Sequence, residues 1–385
     1  MLDCIVVGAG PGGGATAYHL GKRGRSVLVL EKEALPRHKT CGGAVSPQIA
    51  EWFDFDFSPV ISQKVDRIHF SWKLSDPVEA LIDTPEPIWM VERDRFDHYL
   101  IQQAESQGAI VKTETTVTGI QFQPSSQPNI APGFWQVKTS QEILEAKYLI
   151  AADGGRGSLS QWLGFKPLKS HPTVSLEIPG VPTIGTDRIS YFEFGLMKGI
   201  CLSSFPKAQG RSLCAVVMVG TEPQEVLEKV KEYSRFLGLD PETGILHRSS
   251  LCLWESHRPL HTQQALLVGE TAGILDPFSG EGIRPSLLSG MRAAEAIDRA
   301  LAGEPNALAQ YTQRIQDEWG SDMVWSHRIS GLFYRIPGVG YEVGVKRPSA
   351  RARMGKILCG EIRYSDVAGR AIKLLGGKFI PGFGK

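Results

Sequence analysis

Cys4-Ile5-Val6-Val7-Gly8-Ala9-Gly10-Pro11-Gly12-Gly13 joins a short apolar run to a G-x-G-x-x-G loop, and this stretch decides the fold. The β-branched residues before Gly8 predict a buried strand. Gly8 permits a tight turn, Gly10 lets backbone N–H groups approach a pyrophosphate, and Gly13 lets the next helix pack closely on the strand, with Gly12 beside it in the same loop. Ala15 to Lys22 has helical character, so the positive end of a helix dipole faces that loop. Ser26-Val27-Leu28-Val29-Leu30 reads as a second buried strand, closed by Glu31, 18 residues after Gly13. A carboxylate there can accept hydrogen bonds from both ribose hydroxyls and would repel a 2′-phosphate, which suits FAD or NAD better than NADP. A glycine-rich structural turn is the bland reading; the strand before, the helix after and the spacing of the acid weigh against it.

Working outward, the 385 residues are 42% apolar and 22% charged, which is enough for a large core and more than one domain. The formal charge of +1 gives no global signal for nucleic acid. No apolar run reaches the roughly 18 residues a transmembrane helix needs, and the N-terminus lacks a signal-peptide pattern, so a cytoplasmic protein is expected. Cys4, Cys41, Cys201, Cys214, Cys252 and Cys359 form no CxxC pair, so metal or disulfide frameworks are not expected and most thiols should be buried.

Further along, Ile68, Phe70 and Trp72, then Ala80 and Ile82, alternate with polar residues as antiparallel strands do. Arg93 to Gln107 predicts an amphipathic helix. Val111 to Gln123 and Trp135 to Glu145 suggest a β-meander around the turn Pro124 to Pro132. Tyr148 to Ala152 is another buried strand, ending at Asp153-Gly154. Residues 170–260 are strand-rich apart from a helix over Pro223 to Leu237, Ala265 to Val268 opens into glycines, and Pro285 to Leu301 predicts a helix. The fold class is therefore α/β: a discontinuous Rossmann-like dinucleotide domain (1–64, 91–165 and 262–302), an inserted antiparallel β-sheet substrate domain (65–90 and 166–261), and a C-terminal helical region (303–385).

Flavin rather than nicotinamide follows from two later segments, Ala151-Ala152-Asp153-Gly154-Gly155-Arg156-Gly157-Ser158 and Leu267-Val268-Gly269-Glu270-Thr271-Ala272-Gly273, the latter followed by Asp276-Pro277 and Gly280-Glu281-Gly282-Ile283. Together they resemble the class of FAD oxidoreductases that includes aromatic hydroxylases, flavin-dependent halogenases and geranylgeranyl reductases. In that class the second segment runs beside the ribityl chain and the ring, and its acid binds sugar or pyrophosphate; here the usual aspartate is Glu270. The Gly280 to Ser286 stretch opens a helix whose amides can face the N1–C2=O edge of the flavin.

Within that class the chain resembles the geranylgeranyl reductase family. Pro36-Arg37-His38-Lys39-Thr40-Cys41-Gly42-Gly43 matches its P-R-x-K-x-C-G-G element and Arg93 to Leu100 its R-x-x-F-D-x-x-L helix. Gly360-Glu361-Ile362-Arg363-Tyr364 matches its G-E-x-x-Y stretch. The matches run from residue 1 to about 370. The resemblance implies Gly12, Glu31, Arg93, Val117, Gly282 and Ile283 as FAD contacts, alongside Gly8, Gly10, Gly13, Gly43, Asp153 and Glu270 in the cofactor site. It puts Cys41 near the flavin face, with a direct chemical role or mere packing as the two readings. The family's Y-x-W-x-F-P pocket element survives as Cys201-Leu202-Ser203-Ser204-Phe205-Pro206. Loss of two large aromatics at Cys201 and Ser203 predicts a cavity larger by something over ~100 Å³.

His257 and His261 are four apart, but Pro259 lies between them and no third ligand is evident, so no metal is expected. From Arg347 to Lys385 nine Lys and Arg stand against Glu361 and Asp366, with Phe379 and Phe383 near the end, a pattern suited to peripheral contact with an anionic bilayer or, equally, to a solvated basic face. The resemblance implies a reductase in which FAD, reduced transiently by NAD(P)H or ferredoxin, delivers hydride from N5 to a carbon–carbon double bond of a lipid-like isoprenoid. The alternatives are a flavin monooxygenase or oxidase acting on a smaller or aromatic substrate, and a flavin-binding module acting on a partner protein.

Overall fold

The computed structural model describes residues 1–125, 133–183, 188–197, 199–216 and 222–369. β1 (Leu2–Val7) lies inside an eight-stranded sheet, paired in parallel with β2 (Val27–Leu30) on one side and β11 (Ile143–Ala151) on the other. β8 (Ile110–Lys112) flanks β2; β18 (Ala265–Leu267) flanks β11, with β17 (His261–Thr262) at the edge. β1 shows no alternation of apolar and polar residues because both of its faces are covered: Cys4, Ile5 and Val6 are wholly buried. β9 (Val117–Gln123) and β10 (Phe134–Thr139) attach antiparallel to the first half of β11.

The stretch Val111 to Gln123 is thus not one arm of a meander. Val111 pairs with Val29 in β8, and the chain then leaves the parallel sheet, with the Thr115 N–H donating to the Glu31 carbonyl at 2.8 Å, before β9 begins. The exposed edge of β2 needed a partner, and an apolar pattern along the chain cannot reveal which strand supplies it. The turn assigned to Pro124–Pro132 falls largely outside the described residues.

α1 (Pro11–Gly21) begins earlier than Ala15 because Pro11 occupies the first helical position, where its missing N–H is no loss. α5 (Ile283–Leu301) likewise begins two residues before Pro285, whose nitrogen falls among the helix's unpaired first four. The two helices cross in close contact, Thr16 Oγ1 donating to the Gly290 carbonyl at 3.2 Å. α2 (Arg93–Ser106) packs on α1 from the other side, and α3 (Leu159–Trp162) is a single turn.

The second sheet has seven strands: β16 (Ile245–Leu251), β12 (His171–Pro179), β15 (Gly210–Val216), β14 (Cys201–Lys207), β13 (Ile189–Phe194), β5 (Arg67–Trp72) and β6 (Ser75–Leu81), in that order. α4 (Pro223–Phe236) covers one face, its Val226, Val230 and Tyr233 packing with Val174, Leu176 and Ile178. The opposite face looks toward the first sheet. A small third sheet of β3 (Ala44–Val45), β7 (Ile88–Val91) and β4 (Ile61–Val65) lies between them. The passage from one sheet to another therefore falls inside residues 65–90.

α6 (Ala307–Ile315), α7 (Ser321–Arg335), α8 (Pro337–Gly340) and α9 (Pro348–Leu358) follow, and Phe333 and Tyr341 join the core around Phe70 and Phe194. Phe379 and Phe383 lie outside the described residues. No helix among the described residues is long and apolar enough to cross a membrane. All six cysteines are free, but only Cys4, Cys252 and Cys359 are buried; Cys41, Cys201 and Cys214 are half-buried because they face a cavity.

Candidate active site

One cavity of about 760 Å³ runs between the first and second sheets. Its first part is built from backbone. β1 ends at Gly8, whose φ of +110° places it where a side chain would strike the Ala152 carbonyl at 2.3 Å. At Gly13 a Cβ would sit 1.9 Å from the Gly8 carbonyl, so only glycine lets α1 lie this close to the strand. α1 begins with no side-chain cap, and so does α5, at Gly282. Both N-termini line the same cavity, offering unpaired N–H groups and the positive ends of two helix dipoles.

Glu31 follows β2 directly and is nearly buried. Its Oε2 accepts the Ala9 N–H at 2.9 Å and its Oε1 the Glu33 N–H at 3.1 Å, which leaves acceptor capacity on both oxygens. Arg37 Nε stands 3.3 Å from Glu31 and its Nη1 3.2 Å from Asp97, whose carboxylate also takes a two-pronged contact from Arg93 at 2.8 Å. Burial pushes the Arg93 guanidinium down, but Asp97 outweighs it and the net shift is upward. Asp97 is fully buried, and the R-x-x-F-D spacing that holds the pair is one helical turn.

Lys39 and Arg156 line the cavity and make no ion pair among the described residues. Burial holds the Lys39 ammonium below its usual value; Glu270 opposes this, while Arg93, Arg156 and Arg37 reinforce it. Glu270 accepts the Cys252 N–H at 3.0 Å. Asp153 accepts the Leu159 N–H at 2.9 Å and the Thr271 hydroxyl at 3.2 Å, so it orders the loop between β11 and α3; burial raises its pKa. Gly43 and Val117 line the cavity as well, as do Gly10, Gly12 and Ile283. Two uncapped helix ends, under-compensated cations and a carboxylate with spare lone pairs suit a dinucleotide with a central pyrophosphate, and FAD fits that set.

Cys41 sits where this charged cradle meets the second part of the cavity. The Gly43 N–H points at its sulfur at 3.3 Å and the Arg93 side chain lies against it. Beyond it the walls are apolar: Phe70, Phe192, Phe194, Phe205, Phe333 and Tyr334. Phe192 meets Phe205 edge-on at 5.6 Å and Phe194 meets Phe333 at 5.2 Å. Cys201, Ser203 and Phe205 alternate along β14 onto this side, and the Ser203 hydroxyl donates to the Cys214 carbonyl at 3.2 Å. Pro206 does not line the cavity: the two-residue period of a strand turns it to the opposite, buried face.

Sequence reasoning passes over Arg37 and Asp97 as partners of the cofactor site, though both stand in motifs that it quotes. It also passes over Phe192, Phe194 and Phe333, which carry no local signature. His257 and His261 make separate contacts, His257 edge-on to Trp254 at 5.6 Å and His261 Nδ1 with Thr312 Oγ1 at 2.7 Å.

A family model described as an FAD binding domain matches residues 1–222. The chain is 26% identical over 384 residues to a geranylgeranyl diphosphate reductase of Rhodobacter capsulatus, covering 92% of each chain. Among solved structures, it is similar to a geranylgeranyl bacteriochlorophyll reductase-like protein of Thermoplasma acidophilum, with a TM-score of 0.78, 20% identity, and 97% and 96% of the two chains covered. A flavin-dependent brominase shares the fold at a TM-score of 0.71 and 18% identity, with 97% and 99% covered.

Proposed function

Because the chain belongs to the FAD binding domain family and is an FAD-dependent oxidoreductase, we propose that it reduces carbon–carbon double bonds of an isoprenoid-like substrate. The observation that carries this reading is the change of character along one cavity. Most of its charged groups gather in the cradle, and phenylalanines dominate the wall of the chamber beyond Cys41, a setting for an apolar chain rather than a polar metabolite. The names of the reductase relatives support the same substrate class.

Bound FAD, once reduced, supplies a hydride from N5. The chain's own residues do the rest. Glu31 and the α1 N-terminus hold the dinucleotide by its ribose and pyrophosphate, and Gly282 and Ile283 present the α5 N-terminus to the charge that develops on the ring. The phenylalanine walls exclude water from the alkene. Glu281 lines the cavity with its carboxylate paired to Arg284 at 2.7 Å, and the proton for the second carbon comes from a side chain or from solvent. Cys41 borders the substrate. NAD(P)H or ferredoxin serves as a transient electron donor.

Anaerobic incubation of the reduced holoenzyme with prenyl alcohols, diphosphates and lipids of graded length tests the reading. Addition of one H₂ per double bond is expected; unchanged substrate mass at every length sinks it. The edge-on Phe192–Phe205 pair would also receive an aromatic ring, which favours a flavin monooxygenase or oxidase as the second reading. Oxygen consumption coupled to substrate hydroxylation would mark that case.

A further inference from the structure

Three polar side chains near the mouth of the cavity take no part in the chemistry above. His38 lies on the loop that carries Lys39 and Cys41. Glu177 lies on β12 and His247 on the neighbouring edge strand β16, where Ser175 faces His247 and Glu177 faces Ile245, so Glu177 and His247 are diagonal neighbours on one face. We propose that His38, Glu177 and His247 form a site for a divalent transition ion of the Zn²⁺ type, which ties the Cys41 loop to the edge of the second sheet.

Distance makes the case. Glu177 Oε1 stands 3.6 Å from His38 Nε2, and Oε2 stands 3.7 Å from His247 Nε2. Hydrogen bonds would draw these atoms to about 2.7–3.2 Å. Two ligands held ~2.0–2.1 Å from a tetrahedral zinc stand about 3.3 Å from each other. The spacing is thus longer than a hydrogen bond and within a few tenths of an ångström of ligands sharing a cation. All three ligand atoms fall within 4.8 Å of one another, a convergence that a modest rotation of the half-exposed His38 would tighten.

The chemistry of the donors agrees. The two imidazoles stack, centroids 4.2 Å apart and planes at 22°, so their in-plane lone pairs meet on one ion only once the half-exposed His38 ring turns. His247 Nε2 is buried and makes no hydrogen bond among the described residues. Two imidazoles and one carboxylate suit zinc, nickel or copper better than magnesium or calcium, and three protein ligands leave a position for water. With the ion in place the 36–43 loop is cross-linked over the cradle, so FAD should leave more slowly.

The site stands apart from the double-bond reading and is tested without turnover. Chelator-treated, FAD-loaded full-length protein is titrated with Zn²⁺ by calorimetry and with Co²⁺ by difference absorption. One ion per chain is expected, with visible Co²⁺ bands of a four- or five-coordinate site. His38→Ala and His247→Ala should each weaken binding at least tenfold while retaining FAD, and Zn²⁺ should slow FAD release from the wild type only. His38→Ala alters an exposed loop side chain, so it reports even where His247→Ala fails to fold. Absence of stoichiometric binding by the wild type, or undiminished binding by His38→Ala, overturns the proposal.

Discussion

Tyr364 donates a 2.7 Å hydrogen bond from its hydroxyl to Asp276 Oδ2, across 88 residues of sequence. Asp276 is buried and also receives the Phe278 N–H at 2.8 Å and the Ser279 hydroxyl at 2.6 Å, together with the hydroxyl of Ser326. These bonds shape the turn that leads into the α5 N-terminus. The segment after α9 therefore braces the helix end that opens into the cavity, which gives the G-E-x-x-Y stretch a physical reason.

Tyr364→Phe removes one donor from a buried carboxylate. A hydrogen bond to a charged group is worth about 1.5–3 kcal/mol, so a lower Tm and weaker FAD binding by roughly tenfold are expected. Flavin fluorescence on titration of the apoprotein measures the second effect. Unaltered FAD affinity with a lowered Tm would mean that the brace is purely structural.

Glu31→Ala should weaken FAD binding more severely, because it removes the proposed ribose acceptor and leaves Arg37 with Asp97 alone. Loss of a charge-assisted hydrogen bond to the ribose costs about 1.5–3 kcal/mol, or roughly ten- to a hundredfold in affinity. Glu31→Gln keeps the shape and one acceptor, and should fall between. Equal affinity in all three proteins would exclude Glu31 from the site.

How much of this can be read from the chain depends on distance along it. The Gly8–Gly13 loop and Glu31 are legible because strand, turn, helix and acid follow one another within about 30 residues. Arg93 and Asp97 are legible as a motif, but their link to Arg37 is not, since it joins α2 to a loop 60 residues away. Phe333 and Phe194 meet only through the fold and show no periodicity that marks a chamber. Pro206 misleads because a motif carries all its residues together, whereas a strand sends alternate ones to opposite faces. His38, Glu177 and His247 come from a loop and two strands, and no spacing announces them.

Ser203→Trp restores bulk to the chamber wall opposite Cys214. FAD binding should be unchanged, because Ser203 stands in the phenylalanine-lined part of the cavity. KM for long prenyl chains should rise by roughly tenfold or more, with short chains less affected. A parallel loss for all lengths would place the chain elsewhere.

Cys41→Ser keeps the size of the side chain near the Gly43 N–H and Arg93. FAD should remain bound. A fall in kcat on the order of a hundredfold would mark a chemical role for the thiol, as expected for a group that moves a proton. Turnover within about twofold of wild type would leave the sulfur as packing.

Glu193 offers a pH test of the second sheet. It is buried beneath α4, and burial pushes its pKa up to about 7 against the Ser71 hydroxyl and the Leu74 and Lys73 N–H groups, with Glu232 adding to the rise. The folded state therefore binds the proton more tightly than the unfolded chain. Below about pH 4.5 both states are protonated and Glu193 costs nothing. Between about 4.5 and 7 the unfolded chain ionises first, so stability falls as pH rises, and above that window the loss is complete. Its ceiling is about 3 kcal/mol. Glu193→Gln cannot ionise and should escape the loss. Urea unfolding near pH 5 and near pH 8 should thus show the variant gaining on the wild type by up to about 3 kcal/mol at the higher pH. The same difference at both values would mean that Glu193 is ionised throughout, held by the hydroxyl and N–H groups around it.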